Sequence, residues 1–574
     1  MNSKSKNEKI SRLKPLGIDL NNTSSQNIKA LLFFLLFFLC LFIQFPLSQS
    51  IPGNSTTWLA LAISNTYSHL ISQMIRGEGL TTFFYPMKNI FAFGQGAPLL
   101  AFGFLIIKKI VLDDIWTYYF FISILFSLSA WGVYFLGRVL KGNFFPSLIG
   151  GFFFSCSNFT FANIDDPHEF FFLFPSLMMA FLFIFKESKE NRYFYIAMIM
   201  GAMEIYFSVY IFFFQFFFLL PFLKGELNHK KTLLKGFILF FLISLPVVAF
   251  HLYCYLKLEI INPFDPITVI KDCSLKWKDL FAPLKDNLLY GGRVQDIQNP
   301  LFWSFIRRHA FLGILFWTLG ILGIIRHGKS NSFIFWMGIF GLIFSLGPVW
   351  EFGKNLVMPS PLFWFYEKIP LFIFFRVPLR AFFFTTLALS IFATLLLSQP
   401  KFSPKTKGIN FFLIIIIFLH ILENCPFPMQ KFSAKNLMSP PVTLLEFFKG
   451  KKDKVILDLP AKLGIEFNRS QDILFPYNRE LIYMYWQTQH LQNIVNGVHG
   501  YWPKSRIDLQ TIIDKIPNKR AFLGLQTLGI THIVFHKEMV LRDEIKILNQ
   551  LKNYSGLKLE KEDEKLAIFT FGIL

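Results

Sequence analysis

Long apolar runs alternate with short polar stretches along residues 31–425, and this pattern stops at residue 426. A helix that crosses a bilayer needs roughly 20 mostly apolar residues, and eleven segments come close to that length. Residues 426–574 have the mixed composition of an ordinary globular domain. The pattern predicts a multi-pass α-helical membrane protein with a folded C-terminal domain. The predicted spans are residues 31–49, 115–136, 144–160, 170–186, 193–208, 209–223, 232–256, 309–325, 332–348, 375–397 and 409–425.

The distribution of Lys and Arg between the predicted loops gives an orientation. When the N-terminus is placed in the cytoplasm, the cytoplasmic loops are short and basic, whereas the outer loop 161–169 holds neither Lys nor Arg. This asymmetry follows the positive-inside rule. Segment 97–112 is apolar, but counting it as a span would put the basic loops outside. It is therefore predicted to lie in the outer interface or to re-enter it, and an odd number of spans places residues 426–574 outside.

The non-membrane residues are concentrated on the predicted outer face. Residues 1–30 form a cytoplasmic tail, and the first span is expected to be an uncleaved signal anchor because it is longer than a signal-peptide core. Long outer loops are predicted at 50–114 and 257–308, and the domain 426–574 adds to them. Because functional residues are often carried on loops, the chemistry is expected on this face.

Composition supports a membrane protein and argues against nucleic-acid binding. The chain has 574 residues, of which 53% are hydrophobic and 18% aromatic, with 77 Phe. Its net charge of +21 is explained by basic cytoplasmic loops. The five Cys show no spacing typical of a disulfide framework or a zinc site.

The C-terminal region combines short strand-like runs with helical patterns. Strands are predicted at 454–458, 531–536 and 566–571, and helices near 506–528 and 539–552. This order indicates a small α/β domain. The sequence holds no G-x-S-x-G, H-E-x-x-H or P-loop motif.

Acidic residues cluster in one short outer loop. Asp165, Asp166, His168 and Glu169 fall within five residues. Such a set could bind Mg²⁺ or Mn²⁺, which prefer oxygen-rich sites, or it could raise one carboxyl pKa for acid–base work. The alternative is a helix cap, because Pro167 suits the first turn of a helix and acids are favourable near its N-terminus.

Three charged residues in or beside the predicted spans are further candidates. Glu204 lies within an apolar span, where a carboxylate is a functional candidate unless it reaches the outer interface. Arg376 and Arg380 are four residues apart, which would place them on one helical face. Paired guanidinium groups there suit a lipid phosphate, and anchoring to ordinary anionic lipid is the alternative.

A polar and aromatic run between 483 and 503 is the most informative part of the C-terminal region. Aromatic faces and hydrogen-bonding groups of this kind can bind a sugar, but the same run could dock the domain on the membrane part. The candidate substrate-binding residues are Glu204, Tyr485, Gln487, His490, Asn496 and Trp502.

Several of these segments together resemble the GT-C superfamily of membrane glycosyltransferases, and more closely a group of bacterial polytopic proteins related to the YfhO-type family. The resemblance rests on the first outer loop, the acidic loop "NIDDPHE", and "PLFIFFRVPLRAF" at 370–382. In the C-terminal region it rests on "VILDLPAKLG", "YMYWQTQHLQNIVNGVHGYWP" at 483–503 and "LGITHIVFHKE" at 528–538.

The resemblance implies roles for particular residues. Asp166 matches the second-loop acid, with Asp165 and Glu169 beside it, and Asp165, Asp166 and His168 become candidate ligands for a divalent metal. The first-loop acid is missing, because Asn54 stands where relatives tend to have Asp, and Asn cannot act as a general base. Glu78 is the one carboxylate between residues 50 and 112 and is a catalytic candidate.

The function implied by the resemblance is sugar transfer from a polyprenyl-phosphate donor to a cell-envelope acceptor. The reaction would take place on the outer face of the bacterial cytoplasmic membrane, with membrane lipid and the acceptor as partners and no nucleic acid. The absent first-loop acid favours the alternative, a catalytically silent scaffold or lipid-handling protein with the same fold.

Overall fold

The protein is described from a computed structural model that carries side chains. The described residues are 20–52, 55–76, 83–86, 97–164, 166–224, 229–257, 260–261, 266–284, 287–290, 309–352, 356–368, 376–399, 407–426, 429, 431–433, 439–461, 476–498, 502–541 and 544–572. Asn54, Glu78, Asp165 and half of the loop 257–308 lie outside these ranges, so the predictions made for these three residues are not addressed by the structure.

Each predicted span corresponds to a helix. In chain order these helices are Leu20–Phe42, Asp114–Val139, Phe144–Ser155, Leu173–Ser188, Asn191–Met203, Val209–Lys224, Lys230–Lys257, Ile314–His327, Ser332–Ser345, Phe382–Leu397 and Lys407–Asn424.

Within the described residues, five helical stretches are long and apolar enough to cross a membrane by length and composition, which supports a membrane protein. They are Ser24–Leu47, Asp114–Val139, Pro167–Ser188, Lys230–Tyr253 and Pro378–Leu397. Other apolar helices are shorter, such as Ile314–His327 with 14 residues. The number of eleven crossings and their orientation therefore stay predictions.

Helix Phe382–Leu397 lies at the centre of the bundle, and nearly all of its side chains are buried. Small residues allow its neighbours to approach closely. A Cβ atom on Gly323 would lie 2.2 Å from the backbone oxygen of Phe392, and one on Gly341 would lie 2.9 Å from the backbone oxygen of Ala381. These close contacts fix the position of helix Phe382–Leu397. Arg380, a candidate residue from the sequence, lies just before the start of this helix.

Segment 97–112 forms the helix Pro98–Val111, which has 14 residues. Lys108 near its end makes an ion pair of 2.9 Å with Asp114 and a hydrogen bond with Asn65. These contacts join the helix to Asn65, in the helix Ser55–Arg76, and to Asp114, where the second predicted span begins. Its depth in the membrane interface stays a prediction.

The C-terminal region contains a mixed five-stranded sheet. Its strands are Val455–Leu459, Asn493–Ile494, His532–His536, Leu557–Glu562 and Leu566–Phe571. The first three pair in parallel, with Val455–Leu459 between the other two, and the last two add antiparallel at one edge. Three of these strands lie within one residue of the predicted runs, whereas the predicted helix 506–528 is two helices, Lys504–Ile513 and Lys519–Thr527.

Short strands connect the outer loops to the C-terminal region. Ser50–Pro52 pairs antiparallel with Lys431–Ser433, and Ile260–Ile261 pairs antiparallel with Trp502–Pro503. Because both pairings follow a predicted span, the two regions meet at the same end of the helical bundle.

Candidate functional site

The acidic loop ends in a short helix, Pro167–Phe170, with Pro167 at its first position. Asp166 occupies the N-cap position, and its backbone carbonyl accepts a hydrogen bond of 2.9 Å from the amide of Glu169. Proline is favoured there because its fixed φ suits a helix and its missing N–H is not needed. The turn brings Asp166, His168 and Glu169 together, and the side chain of Asp166 makes no capping hydrogen bond to the short helix.

Glu169 makes a buried ion pair with Arg380. The side chains are 3% and 9% exposed, and a guanidinium nitrogen of Arg380 contacts Oε1 of Glu169. Arg380 also lies over the ring of Tyr210, with its guanidinium carbon 4.3 Å from the ring centre. His168 adds a second basic group, with its Nε2 3.7 Å from Oε1 of Glu169. Removing either member of such a pair leaves the other charge buried without its ion-pair partner.

Three side chains in the cluster have the composition of a small cation site. Asp166, His168 and Glu169 each offer a ligand atom, and these atoms lie within 4.8 Å of one another. Two carboxylates and an imidazole suit Mn²⁺ better than Mg²⁺, because imidazole is a ligand for transition metals. The described members of the predicted set, Asp166, His168 and Glu169, are thus close enough to share a cation.

Arg376 and Arg380 do not share a helical face, which corrects the spacing argument made from the sequence. The turn of 3₁₀ helix begins only at Pro378, and Val377 before it has φ −121° and ψ 73°. A residue that precedes proline is disfavoured in the helical region, so Arg376 lies outside the helix. Arg376 is half-buried and Arg380 is buried. Phosphate binding by the pair stays a prediction.

Glu204 is completely buried at the junction of two helices, in the turn Glu204–Tyr206. Neither carboxylate oxygen has a hydrogen-bond partner in the described part of the chain. The structure therefore does not support the alternative in which this side chain reaches the outer interface. Its role in substrate binding is untested.

The polar groups of the C-terminal run are used inside the protein. Tyr485 donates its hydroxyl hydrogen bond to Asp114, and Gln487 donates to the carbonyl of Gln492 at 3.3 Å. Burial lowers the pKa of His490 to about 4. The ring is therefore neutral at pH 7 and can accept the backbone N–H of Gln492 at 3.2 Å.

Asn496 is also fully buried and bonds to the strand Val455–Leu459. Its side chain accepts the amide of Asp458 at 2.8 Å and donates to the carbonyl of the same residue at 3.0 Å. Trp502 lies in the strand Trp502–Pro503, and its side chain is outside the described part of the chain. Of the candidate residues, Tyr485 bonds to the membrane part at Asp114, whereas the side-chain contacts of Gln487, His490 and Asn496 lie within the C-terminal region. Sugar binding by these residues stays a prediction.

No protein-family model matches this sequence, and no curated protein matches it. Among solved structures, the chain is similar to the arabinofuranosyltransferase AftD from mycobacteria. The similarity covers 95% of this chain and 40% of that chain, with a TM-score of 0.58 and 12% sequence identity. The chain is similar in fold to a GT-C superfamily glycosyltransferase.

Two structures of a variant of AftD give TM-scores of 0.46 and 0.43, too low to add to the argument. Their identities are 12% and 10%, and each covers 90% of this chain and 41% of that chain. The resemblance to the GT-C superfamily is thus confirmed for the fold. Because this chain spans only about 40% of the length of AftD, the likeness carries no further than the fold.

A second buried network, which the sequence did not reveal, lies in the sheet region of this GT-C-fold protein. His536 and Asp458, both 2% exposed, form a pair with Nε2 and Oδ1 2.8 Å apart. Glu480 and Arg506 form another pair at 3.2 Å. Burial raises the pKa of Glu480, and the nearby Arg506 opposes that rise. Because these residues are far apart in sequence, no spacing could have indicated their contacts.

Proposed function

We propose that this protein is an integral-membrane glycosyltransferase that moves a sugar from a polyprenyl-phosphate donor to a cell-envelope acceptor. The proposed place of reaction is the outer face of the bacterial cytoplasmic membrane. The observation that carries the proposal is the cluster of Asp166, His168 and Glu169, whose ligand atoms lie within 4.8 Å of one another, in a chain similar in fold to AftD. This cluster places acid, base and cationic groups together at the start of two predicted spans.

In the proposed reaction, the acceptor hydroxyl attacks the anomeric carbon while the bond to the lipid phosphate breaks. Asp166 takes the proton from the hydroxyl, and the polyprenyl phosphate leaves with the bonding electrons, which inverts the sugar. Glu169 and Arg380 hold the short helix that carries Asp166 and His168 against the neighbouring span. A divalent cation held by Asp166 and His168 would stabilise the charge of the leaving phosphate.

A catalytically silent scaffold or lipid-handling protein is the second candidate. The observation that favours it is the commitment of Glu169 and Arg380 to each other, because a paired and buried carboxylate is less available to a substrate. Asn54 in the position of the first-loop acid favours it as well. In that case the fold would bind lipid without transferring a sugar.

The two candidates differ in what a deletion strain accumulates. If the protein transfers a sugar, loss of the gene should raise the level of one polyprenyl-phosphate sugar and remove one sugar from the envelope glycans. Mass spectrometry of lipid-linked sugars and glycans, with the wild-type gene restored as the control, measures both. Unchanged pools in the deletion strain would favour the scaffold.

Arg376 is expected to contact the donor phosphate. Arg376→Gln should weaken donor binding by about 10- to 100-fold, because a hydrogen bond to a charged group contributes about 1.5–3 kcal/mol. Arg376→Lys should lose less, since it keeps the charge but not the paired hydrogen bonds of guanidinium. Donor affinity of the purified protein measures this effect, with Lys368→Gln as the control for loss of an exposed positive charge. Equal affinities for Arg376→Gln and Lys368→Gln would contradict the phosphate contact.

A further inference from the structure

A short piece of the first outer loop, Phe83–Pro86, lies directly on the C-terminal region. The amide of Phe84 donates to the carbonyl of Asn496 at 3.1 Å, and the amide of Tyr85 donates to the carbonyl of Ile494 at 3.0 Å. Because Ile494 ends an edge strand of the sheet, the loop pairs with backbone that the sheet itself leaves open. Hydrogen bonds between backbone groups fix the path of the loop more firmly than side-chain packing alone.

Aromatic rings of this loop fill the space beside two glycines. Phe83 and Phe84 are fully buried, and a Cβ atom on Gly497 would lie 2.9 and 3.0 Å from their rings. Gly497 has φ +146°, a conformation that favours glycine. Tyr85 packs against the core of the sheet, close to Gly529, where a Cβ atom would lie 3.5 Å from the tyrosine oxygen.

The receiving segment is itself held firmly. Asn496 is bonded twice to Asp458 of the strand Val455–Leu459. Glu480 accepts the amide of Gly497 at 2.7 Å and the side chain of Asn496 at 3.2 Å, and it is paired with Arg506. A backbone turn that is hydrogen-bonded on both sides cannot shift without breaking several buried bonds, each costly to leave unmade.

A second contact holds the other part of the loop. The loop helix Ser55–Arg76 packs against the helix Pro476–His490. From the same helix Pro476–His490, the hydroxyl of Tyr485 bonds to Asp114, which is paired with Lys108. The C-terminal run thus contacts the first outer loop at its helix, at Phe83–Pro86 and where the second predicted span begins.

We propose that residues 476–498, here called the clamp, fix the position of the first outer loop. Holding this loop, rather than binding sugar, is the role of the polar and aromatic side chains in this segment. The clamp is a positioning device. Its effect on the reaction rests on the proposed function, because a transferase needs the loop held in one place over the membrane site. A small displacement of a positioned group can lower a rate by about 10²-fold.

Hydrogen–deuterium exchange of the full-length protein in lipid nanodiscs tests the clamp independently of activity. Gly497→Ala should speed exchange of the amides of Phe84 and Tyr85 at least tenfold, because the new methyl group displaces the two phenylalanine rings. Gly450→Ala is the matched control, since Gly450 also has positive φ but has no atom within 4 Å of the added Cβ. Exchange in the strand Val455–Leu459 should stay slow in both variants, which shows that the sheet is folded.

Tyr85→Ala gives a second way to open the clamp if Gly497→Ala does not fold. It should speed exchange at the same amides and lower kcat for sugar transfer by about 10²-fold, with the donor KM unchanged. Tyr85→Phe keeps the ring and should leave both the exchange rate and kcat at their wild-type values. Slow exchange in both Gly497→Ala and Tyr85→Ala would overturn the clamp, and fast exchange with unchanged kcat would overturn its positioning role. If the wild type transfers no sugar, the proposed function fails, and exchange alone then decides the clamp.

Discussion

Asp166→Asn should lower the rate of sugar transfer by roughly 10²–10⁴-fold, the usual contribution of a positioned proton acceptor. The substitution keeps the shape of the side chain and its place before Pro167, so the short helix should still form. It removes the negative charge that would accept the acceptor proton or bind a cation. Transfer from a purified polyprenyl-phosphate sugar, measured with the full-length protein in lipid, gives the rate.

The control for this substitution is Asp508→Asn. Asp508 is exposed on the helix Lys504–Ile513, so the same chemical change there should leave the rate unaltered. Asp165→Asn and Glu169→Gln are expected to lower the rate less than Asp166→Asn. A correctly inserted Asp166→Asn protein with the wild-type rate would remove Asp166 from the site.

Breaking the buried pair of Glu169 and Arg380 should lower the free energy of unfolding by about 3–5 kcal/mol, because the remaining charge stays buried and loses its ion-pair partner. Glu169→Gln and Arg380→Gln should each show this loss. The double variant should lose clearly less than the sum of the two, since neither charge is then left alone. Equilibrium unfolding in mixed detergent and lipid micelles measures the three values.

The exposed pair Lys141 and Glu187 serves as the control for this cycle. Its atoms are 3.4 Å apart and its side chains are 61% and 42% exposed. Water screens such a pair, so Glu187→Gln should change the unfolding free energy by less than about 1 kcal/mol. If the losses from Glu169→Gln and Arg380→Gln simply add, the two residues do not act as a pair.

The acidic loop shows how far local sequence reaches into a site. Asp166, Pro167 and Glu169 are near neighbours in the chain, so one helical turn is enough to bring them together, and the sequence indicated both the cap and the cluster. Arg380 is more than 200 residues away, and its partner could not be inferred from spacing. For Arg376 the sequence prediction was wrong in a different way. A four-residue spacing places two side chains on one face only when both residues are in the helix, and here the helical turn begins at Pro378, after Arg376.

The sequence by itself determined the helical segments of the membrane part and the main strands of the C-terminal sheet. Both follow from local periodicity, since apolar runs need burial in lipid or protein and short β-branched runs favour strands. Only the tertiary structure decided that Glu169 pairs with Arg380 and that Tyr485 and Asn496 contact the first outer loop. These contacts join residues remote in sequence, and a buried polar group has a partner only where folding brings one within hydrogen-bond distance.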